Sequence, residues 1–199
     1  MALARFKRGG ARKTFPCFDE PASKAAFQVN LGRLKNTTTL SNAPKRIEAE
    51  GMGDNDLYVW DVYHETPPIS VDHLGIVFCD FPYSQAESLD HKVQIRMWSR
   101  KSVADQLQLV LVSVPVLLGF FERTFNISYP LSKLDLVALP DAGGKATENL
   151  GLITFAESDL VYKDGYSTLA TKEDILERLS KALAKQWLGN LVTMKWWSE

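Results

Sequence analysis

The stretch Leu57-Tyr58-Val59-Trp60-Asp61-Val62-Tyr63-His64-Glu65 (LYVWDVYHE) carries β-branched and aromatic residues at period two, the pattern of a half-buried strand. Working outward, AFQVNL (26–31), LGIVFCDF (74–81) and KVQIRMW (92–98) repeat it. Turn signals separate these runs at Ser41-Asn42-Ala43-Pro44, Gly51-Met52-Gly53-Asp54 and Phe81-Pro82-Tyr83-Ser84. Pro67-Pro68 closes one strand, because proline has no N–H to give a ladder. Short strands at this spacing predict a β-sandwich, or part of one, from Ala25 to about Trp98.

Beyond Arg100 the texture changes. A helix is predicted over Val114–Phe125, with Pro115 in its first turn. Two apolar runs, KLDLVAL (133–139) and LGLITFA (150–156), read as strands on either side of a loop at Pro140-Asp141-Ala142-Gly143-Gly144. A last helix is predicted to start at Thr171, where Thr171-Lys172-Glu173-Asp174 resembles a capping box. Its apolar positions Ile175, Leu176, Leu179, Ala182 and Leu183 recur at helical spacing. The expected class is α+β, with one domain over residues 1–100 and a second over 101–199.

Composition narrows the function classes. The chain has 199 residues, 45% of them hydrophobic, enough for one sizeable core or two small domains. A net charge of −1 supplies no overall field to steer nucleic acid or an anionic membrane. The basic residues Arg5, Lys7, Arg8, Arg12 and Lys13 read as an exposed arm around Gly9-Gly10. Cys17 and Cys79 are too few for a disulfide framework. The longest apolar stretch, Leu107–Phe121, is interrupted by Gln108, Ser113, Pro115 and Gly119, and reads as a buried helix rather than a membrane span. The basic start lacks the apolar core of a secretory leader. His64, His73 and His91 fit no compact zinc pattern, and there is no phosphate loop or nucleophile elbow.

Four longer segments carry more information. FPCFDEP (15–21), YPLSKLDLVALPD (129–141), ENLGLITF (148–155) and QWLGNLVTMKWW (186–197) resemble, in order and spacing, landmarks of the aminopeptidase N type of zinc metallo-aminopeptidase, a gluzincin family. The resemblance implies a partial N-terminal β-sandwich followed by the start of a thermolysin-like catalytic domain. In such enzymes an H-E-x-x-H helix supplies two histidines to zinc and a glutamate as general base. A third ligand and an oxyanion-stabilising tyrosine lie further on. An upstream G-A-M-E-N segment uses its glutamate to grip the amino terminus of the substrate.

Carried over residue by residue, the two histidine positions fall on Lys181 and Lys185, and the general-base position falls on Ala182. The G-A-M-E-N positions read Lys145-Ala146-Thr147-Glu148-Asn149, so Ala146, Glu148 and Asn149 are retained as candidate substrate-binding residues. Glu148 is either such an anchor or a leftover carboxylate at a strand edge. A lysine ammonium has no lone pair for a metal. Bringing two lysines from about 10.4 to 7 costs on the order of 9 kcal/mol before any metal bond forms. Ala182 has no proton acceptor. Lys181 and Lys185 either form a solvated helix face or fill the vacated metal space, paired with Glu148 or another carboxylate; burial separates the two. Trp187, Trp196 and Trp197 read as core aromatics. The expectation is a truncated, catalytically inactive relative that binds no zinc cofactor. Its expected partners are peptides with a free amino terminus or a full-length aminopeptidase, with no nucleic acid and no membrane span. The alternative is an active zinc aminopeptidase, should the changed motif be an error or be compensated. Family members include membrane-anchored ectoenzymes and cytosolic proteins, so the resemblance fixes no compartment.

Overall fold

The computed structural model describes residues 1–6, 9–52, 55–140 and 146–198. Lys7 and Arg8 of the basic arm, Gly53 and Asp54 of one turn, and the loop from Asp141 to Lys145 lie outside the described residues. The chain divides into two compact units, residues 1–80 with 149–151 and 188–199, and residues 81–148 with 152–187. They do not follow the textural break near residue 100.

The first unit is built from β1 (Ala2–Arg5), β2 (Lys24–Ala25), β3 (Asn30–Leu34), β4 (Thr38–Ser41), β5 (Lys45–Met52), β6 (Asn55–Tyr63), β7 (Ile69–Ser70) and β8 (Gly75–Cys79). Three small sheets result, in the orders β1-β8-β4, β3-β6-β5 and β2-β7. All the pairings within them are antiparallel. The start of the predicted arm is therefore a strand: Ala2 to Arg5 pair with Phe78 to Gly75, satisfying one edge of β8. Phe6, Ala11, Val29, Tyr63, Val71 and Leu74 form a buried core, with Phe15 edge-on to Phe6 at 5.9 Å.

Asp61, the charged residue inside LYVWDVYHE, is fully buried. It accepts hydrogen bonds from Arg33 Nε and Thr39 Oγ1, both at 2.6 Å, and pairs with Lys45 Nζ at 3.0 Å. A buried carboxylate persists only with such partners, and here they come from three strands. Asp61 thus ties β3, β4 and β5 to β6.

The second unit holds β9 (Tyr83–Glu87), β10 (Gln94–Trp98), α1 (Gln108–Phe125), β11 (Lys133–Leu139), β12 (Thr147–Asn149) except its last residue, β13 (Leu152–Ala156) and α2 (Leu169–Ala184). The sheet order is β12-β13-β11-β10-β9. β10, β11 and β13 run parallel, and α1 is the crossover that parallel neighbours require. KVQIRMW therefore pairs with β11, not with a sandwich strand, because local alternation does not encode a strand's partner. β11 is buried along its whole length, as expected of a central parallel strand.

Both helices start earlier than predicted. α1 begins at Gln108 and runs through Pro115, which is buried in mid-helix. The apolar residues Val110, Leu111 and Val114 share the inward face of Leu118 and Phe121, so packing extends the helix upstream of the proline. Ala104–Phe125 is long and apolar enough to cross a membrane by length and composition alone, and its inner face packs against β9, β10 and α2. α2 begins at Leu169. Its cap is Thr168, whose side chain accepts from Thr171 N–H at 3.1 Å, three residues before the predicted start. Ile175, Leu179, Ala182 and Leu183 are buried as one face.

Candidate functional site

The last two turns of α2 place Lys181 and Lys185 on one side of the helix, with Ala182 turned inward. Lys181 Nζ donates to Glu177 Oε1, one turn back on the same helix. That hydrogen bond, and then the ammonium charge, hold the Glu177 carboxyl below its ordinary range. Lys185, the C-cap residue, reaches across to β12, where its Nζ donates to Glu148 Oε1 at 2.8 Å. The Lys185 side chain is 53% exposed and that of Glu148 23%, so solvent reaches both members of the pair. The two alternatives left by the sequence thus divide: Lys181 lies on a solvated face, and Lys185 pairs with Glu148.

Ala146 is half-buried just before β12, and Asn149 is buried. Thr147 faces inward, its hydroxyl 2.6 Å from that of Thr154 on β13. Lys145 lies outside the described residues.

Zinc does not suit the donor set at the motif positions. Both ammonium groups are hydrogen-bond donors to carboxylates, and an ammonium so engaged has no lone pair for a metal. Ala182 is 2% exposed and offers only a methyl group. Among the described residues, no group of three or more His, Cys, Asp or Glu side chains is arranged to hold a metal ion.

Next to the motif helix, Trp187 is buried against Phe121, Phe125 and Tyr129, and its indole N–H donates to the Ile127 carbonyl at 3.0 Å. Trp196, read from sequence as core, is half-exposed. Sequence reasoning missed a second buried network. Asp135 on β11 accepts from Arg96 Nε at 2.6 Å and Nη2 at 2.7 Å, from Trp98 Nε1 at 2.9 Å and from Lys133 Nζ at 2.7 Å. Burial opposes the charge on Asp135, yet Lys133 and Arg96 outweigh it and keep the carboxyl below its ordinary range. Burial pushes the Lys133 ammonium down to about 8 against the pull of Asp135. The sequence signal was available: a lysine and an aspartate two apart in an otherwise apolar strand face the same side.

The class defined by this architecture is α+β, a strand-built N-terminal portion leading into a helix-covered mixed sheet. Comparison with known proteins gives it a family. Residues 1–71 match the peptidase M1 N-terminal domain and residues 111–199 match the peptidase family M1 domain. Aminopeptidase N of Rattus norvegicus is 39% identical over 204 residues, covering all of this chain and 21% of the relative. Aminopeptidase Ey of Gallus gallus is 38% identical, with all of this chain and 20% of the relative covered. Aminopeptidase M1 of Arabidopsis thaliana is 36% identical, with 100% and 22% covered. The chain belongs to the M1 peptidase family, with relatives of the aminopeptidase N type. It spans about a fifth of the length of the curated relatives it matches.

Proposed function

We propose that this chain is a catalytically inactive member of the aminopeptidase family, which binds peptides through Glu148 without hydrolysing them. One observation carries the reading: the positions that match the zinc-binding histidines hold ammonium groups donating to Glu148 and Glu177, and the general-base position holds a buried alanine. Peptide hydrolysis of the family kind needs a metal to polarise the carbonyl and a base to take a proton from water. Neither residue type stands at those positions here. Glu148 retains the carboxylate that pairs with an ammonium, and its partial exposure leaves it within reach of a peptide amino terminus.

Zinc content and turnover test the proposal. The purified chain is expected to hold far less than stoichiometric zinc after incubation with the metal, and to release no product from an aminoacyl anilide above a Glu148→Gln control. Stoichiometric zinc, with hydrolysis abolished by a chelator, would overturn it. The alternative of an active zinc aminopeptidase draws support from the identity to aminopeptidases along the whole chain. It needs ligands other than Lys181 and Lys185.

A further inference from the structure

We infer that Lys185 is an internal occupant of the Glu148 site, an ammonium supplied in cis that competes with the amino terminus of a bound peptide. The inference rests on the peptide-binding reading of Glu148 and assigns that site its regulation. Lys185 Nζ and a peptide α-ammonium present the same chemistry to a carboxylate: a compact cation with three N–H donors. At 2.8 Å from Glu148 Oε1, the lysine already makes the hydrogen bond an incoming amine would make.

The arrangement permits exchange. Lys185 ends α2, where the exposed carbonyl end of a helix favours a cation, and it reaches Glu148 over 37 positions of sequence through a flexible four-carbon stem. More than half of its side chain is exposed, so it swings into water without breaking a packed core. Lys181 does not take its place in this structure, because its ammonium is held by Glu177 on its own helix. Ion pairs between accessible groups change an equilibrium by about fivefold at most. Lys185 thus lowers peptide affinity without closing the site.

The test uses the full chain and the tripeptide Leu-Gly-Gly, free or acetylated at its amino terminus, with the dissociation constant read by NMR titration. Lys185→Met and Lys185→Gln are expected to bind the free tripeptide up to about fivefold more tightly than the unsubstituted chain. Glu148→Gln is expected to lose binding, and the acetylated tripeptide to bind none of the chains. Equal affinity of the unsubstituted chain and both Lys185 variants would overturn the competition and leave the anchor standing. Weaker binding by both variants would also overturn it. Binding by no chain, or binding indifferent to Glu148→Gln, would overturn the anchor itself and the competition with it.

Discussion

Replacing Lys133 by methionine keeps an unbranched side chain, one heavy atom shorter, and removes a buried ammonium. In the folded chain that ammonium releases its proton near pH 8, against an ordinary lysine value of about 10.4. Between those values the unfolded chain holds a proton that the folded chain has lost. Stability contributed by Lys133 therefore rises with pH across that window, by about 3 kcal/mol at full extent, since each pH unit of difference is worth about 1.4 kcal/mol. Below pH 8 both states are protonated and the folded state carries the whole burial cost. Lys133→Met has no such proton to lose, and Asp135 keeps Arg96 and Trp98 as donors. Urea unfolding of both chains at pH 7 and pH 10 measures the gap between them. The gap is expected to move in favour of the unsubstituted chain by about 2 to 3 kcal/mol between the two pH values. A gap that stays constant, or that moves toward the methionine variant, would refute the claim that Lys133 is buried as a strained cation.

Trp187→Ala removes the centre of the Phe121, Phe125 and Tyr129 cluster and is expected to cost about 3 to 5 kcal/mol, read as a lower urea midpoint at unchanged slope. Thr168→Ala deletes the cap of α2 and is expected to cost about 1 kcal/mol, whereas the same change at Thr171 should cost less; thermal melts of the pair compare the true cap with the apparent one.

What the sequence made legible follows the range of the interactions. The inward face of α2 is a matter of 3.6-residue spacing, so Ile175, Leu179, Ala182 and Leu183 could be read directly. Helix ends were harder, because caps are decided by geometry that several residues can satisfy. Thr171-Lys172-Glu173-Asp174 has the stronger signature, yet Thr168 makes the hydrogen bond to the helix N–H. Pro115 looked like a start signal, while the apolar face on both sides of it holds the helix together. Partner choice was not legible at all. Nothing in KVQIRMW distinguishes a sandwich strand from one that runs parallel to β11, because the pairing lies about 39 positions away. The site shows the same limit: the lysines and Glu148 were candidates from their motif positions, but only their placement decides that Lys185, and not Lys181, meets Glu148.

Ala182 shows why restoring the family's residue types is not a neutral operation in this chain. It belongs to the buried face of α2, with 2% of its surface exposed, while the Lys181 and Lys185 side chains are mostly exposed. Histidines at the lysine positions should therefore cost little beyond two accessible ion pairs. Ala182→Glu instead forces four extra heavy atoms, three of them a carboxylate, into packed interior. Overpacking and desolvation each cost roughly 1 to 3 kcal/mol, so a total of about 2 to 6 kcal/mol is expected at pH 7. Burial raises the pKa of such a carboxyl above its unfolded value. The unfolded chain then releases the proton first, and the penalty shrinks as pH falls toward 4. Urea unfolding of Ala182→Glu beside Lys181→His and Lys185→His, at pH 7 and pH 4.5, reads both the size and the pH sense of the effect. Wild-type stability at pH 7 would mean that position 182 opens to water, and a loss indifferent to pH would refute the burial of the introduced carboxyl. The packing argument at position 182 would then fail, while the inactive reading would still rest on the two lysines and on the absence of a proton acceptor in alanine.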